Sequence, residues 1–183
     1  VIGKNKALIS VFPGSRKSEV EILTPILLET IKLLNKNNKD ITYVFHSTKE
    51  YVKSIQSYIS KTDLINCEVI NDEKIKSHIL RKSIFAIAKS GTVSLEICNF
   101  RIPSIILYKM NFINFLILKM LVKTKFANII NIAANREIIP ELLQRECNPK
   151  NISNKILNFL DNPEKMKIQI SHTQLILKSF KTN

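Results

Sequence analysis

Two short segments of this chain contain the side chains best suited to binding a phosphate-bearing ligand. They contribute Gly14, Ser15, Arg16, Ser90, Gly91, Thr92 and, one helical turn further on, Glu96. Glycine lets the backbone approach a ligand closely, and the forked guanidinium of Arg16 suits a diphosphate. Hydroxyl groups and free amides at the start of a helix bind anions. Glu96 adds a carboxylate able to accept hydrogen bonds from the hydroxyl groups of a ribose.

Each segment taken alone also fits an ordinary strand-to-helix turn with a solvated glutamate. Neither segment matches the Walker A pattern or the G-x-G-x-x-G pattern, so a kinase or a dinucleotide-binding enzyme finds no support. The chain has no Asp-x-Asp pair, which would offer a platform for a divalent metal on a nucleotide diphosphate. We therefore expect no metal and no cofactor, with the diphosphate charge balanced by Arg16 and a helix N-terminus.

The elements that would position these segments follow from the apolar pattern. Continuous apolar runs predict strands over 7–12, 41–46, 67–70, 83–88 and 103–108. Helical spacing separates these runs, and beyond residue 108 it predicts helices over 112–122, 140–144, 149–160 and 163–180. Strands that alternate with helices and are apolar throughout form a parallel sheet covered on both faces. Because ligands of such a sheet bind beyond the carboxyl ends of its strands, we expect both segments on one edge.

The predicted fold class is therefore α/β, a Rossmann-like parallel sheet flanked by helices. The 183 residues suffice for a single domain over 1–183 with a full core. We expect this domain to end in a helical C-terminal extension over 140–183. Pro25 falls inside the first helical pattern and predicts either a kink or a helix start nearby.

The net charge of +13 points to an anionic partner. The lysines are spread along the chain and no nucleic-acid-binding signature is present, so we expect an anionic membrane surface and no nucleic acid. The apolar segment 112–122, which lysines flank, is too short to span a bilayer. It fits an interfacial helix and, equally well, a buried packing or dimer helix. The three cysteines lack CxxC spacing and indicate neither a zinc site nor disulfides.

Five sequence blocks resemble lipid-A-disaccharide synthase, in the order and spacing of that family. The blocks are Phe-Pro-Gly-Ser-Arg-Lys-Ser-Glu-Val at 12–20, Ser-Gly-Thr-Val-Ser-Leu-Glu at 90–96, Leu-Val-Lys-Thr-Lys at 121–125, Asn131 with Asn-Arg-Glu at 135–137, and Pro-Glu-Leu-Leu-Gln at 140–144. They cover nearly the whole chain. The resemblance is to the C-terminal, donor-binding half of a two-domain GT-B glycosyltransferase of family 19, so it implies a UDP-sugar-binding domain.

The resemblance also implies a reaction, an inverting hexosyl transfer in lipid A biosynthesis. The donor would be UDP-2,3-diacylglucosamine and the acceptor 2,3-diacylglucosamine 1-phosphate. Ser15 and Arg16 would face the donor diphosphate, with Arg16 stabilising the charge on the leaving UDP. The segment 90–92 would donate hydrogen bonds to the same diphosphate, and Glu96 would accept them from the ribose.

A third set of residues and a location follow from the same resemblance. Asn131, Arg136 and Glu137 would lie near the active site of a homodimer that exchanges C-terminal segments. Substrates that carry acyl chains imply a cytoplasmic enzyme held peripherally on the inner face of the inner membrane.

The chain departs from the family pattern at three positions and in its extent. Lys89 stands where the family usually has a small residue, and Ile130 replaces a usual proline. Asn135 replaces a usual glycine, although asparagine also adopts positive φ readily. We expect the acceptor-side domain with its catalytic base to be absent from this chain.

Three alternatives to an active enzyme or to this family remain open. The chain could be a non-catalytic UDP-binding remnant of a split or decayed gene, or a basic membrane-surface module. A related UDP-N-acetylglucosamine transferase or epimerase would share the fold, but it would leave the blocks at 135–137 and 140–144 unexplained.

Overall fold

Every apolar run before residue 109 forms a strand, and the segments of helical spacing between those runs form helices. The computed structural model of the chain describes residues 7–37, 40–110 and 125–182. Its strands are β1 Ala7–Phe12, β2 Ile41–His46, β3 Cys67–Ile70, β4 Ser83–Lys89, β5 Ser104–Tyr108 and β6 Glu141–Leu143. The helices in the described ranges are α1 Lys17–Asn35, α2 Val52–Ser60, α3 Glu73–Lys82, α4 Val93–Asn99, α5 Ile129–Ala134, α6 Pro149–Leu160 and α7 Pro163–Thr182.

The strands form one parallel sheet in the order β3-β2-β1-β4-β5-β6. From β1 the chain adds β2 and β3 on one side of that strand. It then crosses back and adds β4, β5 and β6 on the other side. The order therefore reverses between β1 and β4, which lie side by side with Phe12 opposite Ala88. The predicted parallel sheet is confirmed, and the loops after β1 and β4 leave it at the point where ligands bind in such folds.

Helices cover both faces of the sheet, because successive residues of each strand point to opposite sides. In β4, Phe85 and Ile87 pack with α1 and α6, whereas Ala86 and Ala88 pack towards α4, α5 and α7. These four side chains are fully buried. Continuous apolar runs rather than alternating ones are what such a two-sided core requires.

The segment 140–144 corrects one of the expectations. Its Glu-Leu-Leu-Gln sequence favours a helix, but Glu141–Leu143 forms β6 and pairs with residues 106–108 of β5. Gln144 then takes a positive φ of 46° and ends the strand. Tertiary pairing overrides local propensity here because five residues are too few for a stable helix. The predicted helices over 149–160 and 163–180 are both present.

Of the two alternatives predicted for Pro25, a kink or a helix start nearby, the helix start is wrong. Helix α1 runs from Lys17 to Asn35 with Pro25 inside it, where the ring is exposed. Buried residues before and after the proline, such as Leu23 and Leu27, hold both halves of the helix on the sheet. The predicted apolar helix over 112–122 lies outside the described residues. None of the helices in the described ranges combines the length and apolar character needed to cross a bilayer.

A buried glutamine attaches the last helix to the sheet. Gln169 of α7 accepts a hydrogen bond from the Ser104 amide at 2.6 Å and donates one to the Ser104 carbonyl at 2.9 Å. This side chain thus pairs with both backbone groups of the first residue of β5. The helical extension is therefore part of the sheet's packing, and it covers the face formed by α4 and α5.

Candidate functional site

A cleft of about 370 Å³ opens at the carboxyl edge of the sheet, over the junction of β1 and β4. The loops after β1, β2 and β4 line it together with the first turns of α1 and α3. Its lining includes Gly14, Ser15, Arg16, Ser90, Gly91 and Thr92. The structure thus brings together six of the residues predicted to bind a ligand, and their binding role stays a prediction.

The first loop is held by the carboxylate of Glu19, in the first turn of α1. One oxygen of Glu19 accepts hydrogen bonds from the amides of Ser15 at 3.0 Å and Arg16 at 3.3 Å. Gly14 has a φ of 113°, and a Cβ at this position would lie 2.5 Å from the same oxygen. Only glycine therefore fits without strain, for both its backbone angle and its closeness to Glu19. The side chain of Arg16 remains exposed at the cleft.

The other oxygen of Glu19 pairs with Lys89, the last residue of β4. The Lys89 Nζ lies 2.8 Å from Glu19 Oε1 and 5.6 Å from the centre of the Tyr108 ring. Burial on its own would raise the pKa of Glu19, but Lys89 and the two loop amides outweigh it and hold that pKa below its usual value. The Glu19 carboxylate is therefore held in its charged form, and the ion pair links the first turn of α1 to the end of β4 beside the cleft.

The second loop leads into the short helix α4. The Ser90 hydroxyl donates to the Ala127 carbonyl at 2.7 Å, so this side chain is used inside the fold. Thr92 precedes the helix, and its side chain forms no capping hydrogen bond. Gly91 is exposed, with open space where a Cβ would stand. The amides of Gly91 and Thr92 have no acceptor among the described residues, so they are available to an anion.

Glu96 does not line the cleft directly. Its carboxylate pairs at 2.7 Å with Lys76 of α3, which lines the cleft and also lies 3.4 Å from Glu73. Burial opposes the charge on Lys76, yet Glu96 and Glu73 raise its pKa above the ordinary value. The residue predicted to hold a ribose is therefore covered by a cation, which a ligand would have to displace or share.

Asn131, Arg136 and Glu137 do not line the cleft either. Asn131 is fully buried, and its amide accepts from the backbone of Ile138 and Ile139 and donates to Ile139 and Glu141 at 2.6–2.9 Å. This side chain fixes the turn between α5 and β6, and its polar atoms are already paired. Arg136 and Glu137 lie exposed on that turn.

The substitution of asparagine for glycine before Arg136 is accommodated as expected. Asn135 ends α5 with φ 49° and ψ 30°, in the left-handed region. Asparagine tolerates this conformation better than most residues because its short side chain bonds locally.

His46, at the end of β2, is a lining residue that the sequence did not single out. Its ring stacks on Phe12 at 4.2 Å and only 6% of the residue is exposed. Ser83 donates its hydroxyl proton to the Ile79 carbonyl, so Ser10 must donate to Ser83, and His46 Nε2 must donate to Ser10 at 2.9 Å. The proton therefore sits on Nε2. The buried Nδ1 is an acceptor without a partner in the described part of the chain.

Two general signals would have extended the list of lining residues. The end of β2 shares the sheet edge with β1 and β4, which places His46 and the following Ser47 and Thr48 at the cleft. Glu19 stands three residues after Arg16, the spacing at which a carboxylate returns to the start of its helix. No sequence signal indicates that Lys76 of α3 reaches Glu96.

The lining is cationic overall, with three cations (Arg16, Lys76 and Lys89) against the carboxylates of Glu19 and Glu73. The described residues contain no cluster of three or more histidine, cysteine, aspartate or glutamate side chains suited to a metal ion. The cleft presents the charges of these side chains and two backbone amides to a phosphate.

Comparison with known proteins confirms the predicted family resemblance over the whole chain. The family model for lipid-A-disaccharide synthetase matches residues 1–183. Lipid-A-disaccharide synthase of Sulfurihydrogenibium sp. (strain YO3AOP1) is 35% identical over 186 residues, which cover 97% of this chain and 48% of that protein. The chain thus spans about half the length of the curated relatives it matches.

Two solved structures share the fold. The catalytic domain of cholesterol-alpha-glucosyltransferase from Helicobacter pylori matches with a TM-score of 0.64 and 16% identity, covering 96% of this chain and 99% of that one. UDP-GlcNAc 2-epimerase from Neisseria meningitidis, bound to UDP-GlcNAc, matches with a TM-score of 0.58 and 16% identity. The match covers 100% of this chain and 46% of that one. These likenesses, together with the parallel sheet, confirm the predicted half of a GT-B fold.

Replacing Asn131 with alanine should destabilise the fold. The substitution leaves buried backbone groups of Ile138 and Ile139 unpaired, so we expect the free energy of unfolding to fall by about 3 kcal/mol or more. Urea denaturation measures it, with Asn154→Ala on the exposed side of α6 as the matched control. Wild-type stability in Asn131→Ala would contradict the structural role.

His46 should make stability depend on pH. Burial, assisted by the charge of Lys76, lowers the pKa of His46 to about 3, against an ordinary 6.5. The unfolded chain therefore binds this proton first, and its contribution to stability is complete above pH 6.5 and falls as the pH drops towards 3. We expect a loss of about 2 kcal/mol between pH 7 and pH 5 relative to His46→Gln.

Urea denaturation of both proteins across this range measures the difference. Carboxylates titrate alike in the two, so subtraction isolates the histidine. Parallel curves for the two proteins would show that His46 is not held neutral.

Proposed function

The chain belongs to the lipid-A-disaccharide synthase family, and we propose that it forms the donor-binding part of a glycosyltransferase. This enzyme transfers 2,3-diacylglucosamine from UDP to 2,3-diacylglucosamine 1-phosphate with inversion at the anomeric carbon. The observation that carries the proposal is that the two loops predicted to bind a phosphate, with lining residues 14–16 and 90–92, meet at one cleft over the β1–β4 junction. In a sheet of this kind, that junction is where nucleotide ligands bind.

Arg16 is the residue assigned to the leaving group. It stands between β1 and α1, its side chain is exposed, and no carboxylate in the described ranges forms an ion pair with it. A free guanidinium can make two parallel hydrogen bonds to a diphosphate without first breaking an ion pair. As the bond between the anomeric carbon and UDP breaks, Arg16 stabilises the negative charge that builds on the departing oxygen.

The second loop completes the diphosphate site from the opposite side. The unpaired amides of Gly91 and Thr92, together with the Thr92 hydroxyl, are donors that need no ordering before the ligand arrives. Ser15 presents an exposed hydroxyl from the first loop, although its amide is already committed to Glu19. Preorganised donors of this kind contribute most where charge develops in the transition state.

Glu96 is assigned to the ribose. A carboxylate accepts hydrogen bonds from both hydroxyl groups of a ribose, and Glu96 lies one turn beyond Thr92 on α4. Lys76 lies 2.7 Å from this carboxylate. Donor binding then requires Lys76 to give up or share Glu96.

Inversion requires a base for the acceptor hydroxyl. The acceptor oxygen attacks the anomeric carbon from the face opposite UDP, its proton passes to the base, and UDP leaves with the electron pair of the broken bond. We assign no residue of this chain to that base. The proposal places it in the half of the relatives that this chain does not span.

The acylated substrates place the enzyme peripherally on the inner face of the inner membrane, in the cytoplasm. The net charge of +13 complements an anionic membrane surface. We also infer a homodimer that exchanges C-terminal segments. Arg136 and Glu137 are exposed on the turn that Asn131 braces, so they would face the partner's site while Asn131 keeps the turn in place.

Transfer activity tests the proposal. The chain is mixed with the N-terminal half of the Sulfurihydrogenibium relative, and formation of the disaccharide from both substrates is measured. We expect product with the added half. Replacing Arg16 by alanine should lower the rate at saturating donor by about 100-fold, because the lost interaction strengthens in the transition state.

Arg145→Ala is the matched control, since Arg145 is exposed and does not line the cleft. It should keep the wild-type rate. Binding of UDP without any transfer, with both halves folded and associated, would favour the non-catalytic remnant over the enzyme.

A further inference from the structure

We propose that Lys89 is a second cation for the donor diphosphate and that Glu19 holds it in position. This inference rests on the proposed function. Arg16 lines the cleft from the first loop, whereas Lys89 lines it from the end of β4, directly before Ser90. A diphosphate that bridges the two loops would therefore pass over Lys89.

The anchoring of Lys89 is built into the fold. Its partner Glu19 has only 12% of its side chain exposed, and Lys89 has 22%. Glu19 is itself fixed by the amides of Ser15 and Arg16, so the carboxylate cannot follow the lysine out of the cleft. Tyr108 closes the other side, with its ring centre 5.6 Å from Nζ. The ammonium therefore stands at a fixed place beside both loops.

Lys89 can serve Glu19 and a phosphate at the same time. An ammonium has three N–H donors, and the ion pair with Glu19 at 2.8 Å uses one of them. Because Lys89 lines the cleft, a phosphate oxygen can take another without breaking that pair. Lys76 is less free, since it already lies between the carboxylates of Glu96 and Glu73. Of the two lysines, Lys89 is the one placed to bind phosphate.

Two simpler roles for Lys89 make different predictions. As a mere neutraliser it would cancel the charge of Glu19, which otherwise repels a phosphate. As a structural cross-link it would only hold β4 against α1. In both cases, once the Glu19 carboxylate is removed, replacing Lys89 should no longer weaken UDP binding, because the lysine would then have nothing to neutralise or to hold.

The test measures binding of UDP and of uridine by isothermal titration calorimetry. The proteins are the wild type, Lys89→Met, Glu19→Gln and the double variant, with Lys32→Ala on the far end of α1 as a surface control. Methionine keeps the packing of the lysine stem. Glutamine keeps an acceptor for the Ser15 and Arg16 amides.

We expect Lys89→Met to weaken UDP binding roughly tenfold or more and to leave uridine binding within about twofold. Glu19→Gln should weaken UDP binding by less than Lys89→Met does, because the cation remains but loses the carboxylate that holds it in place. Wild-type or tighter UDP binding in Glu19→Gln would overturn the positioning role of Glu19. The loss caused by Lys89→Met should persist in the Glu19→Gln background. Lys89→Arg, which retains a cation, should recover most of the affinity.

Three results would overturn the role of Lys89. They are unchanged UDP affinity in Lys89→Met, an equal loss for UDP and uridine, and disappearance of the loss in the Glu19→Gln background. An equal loss for UDP and uridine identifies a structural link. A loss specific to UDP that disappears in the Glu19→Gln background identifies a neutraliser. If the folded wild type binds no UDP, the proposed function fails. If the wild type binds UDP and one of these three results is found, only the role of Lys89 fails. Thermal unfolding confirms that each variant is folded. Lys89→Gln, which also removes the cation, replaces Lys89→Met if that variant does not fold.

Discussion

The candidate site depends on the parallel pairing of β1 with β4. Residues 7–12 and 83–89 are far apart in the chain, yet Phe12 and Ala88 are neighbours across the sheet. This pairing places the turn that follows each strand on the same edge, at the reversal of strand order. Taken alone, neither loop can be told from an ordinary strand-to-helix turn. The pairing of two buried strands is therefore what turns two weak sequence signals into one cleft.

The charges of the cleft are organised as ion pairs rather than left free. Lys89 is fixed by Glu19, and Lys76 by Glu96, at 2.8 Å and 2.7 Å. The members of each pair belong to different elements, α1 and β4 for the first pair and α3 and α4 for the second. Each pair therefore links two elements beside the cleft and keeps a cation at a defined place. For Lys89, which can keep Glu19 while it binds a phosphate, this placement reduces the reorganisation that binding requires. Arg16 differs, since its exposed guanidinium must be ordered by the ligand itself.

Local patterns predicted the strands, the sheet type and the two loops, because burial on both faces demands continuous apolar runs. The positive φ of Asn135 agrees with the family resemblance, which implies a glycine there that asparagine can replace. The strand at 141–143 was not, since Glu-Leu-Leu-Gln favours a helix and only the neighbouring β5 makes it a strand. The covering of Glu96 by Lys76 and the burial of Asn131 depend on contacts between distant elements. No spacing in the sequence encodes them.

Glycine amides offer the most direct test of the central claim, that one ligand bridges both loops. The chain has three glycines, and two of them, Gly14 and Gly91, line the cleft from different loops. Labelling with ¹⁵N-glycine therefore yields very few signals to follow by NMR during a titration with UDP. We predict that the Gly14 and Gly91 resonances both shift and fit a single Kd. Shifts at only one of them, or at neither, would contradict a shared diphosphate site.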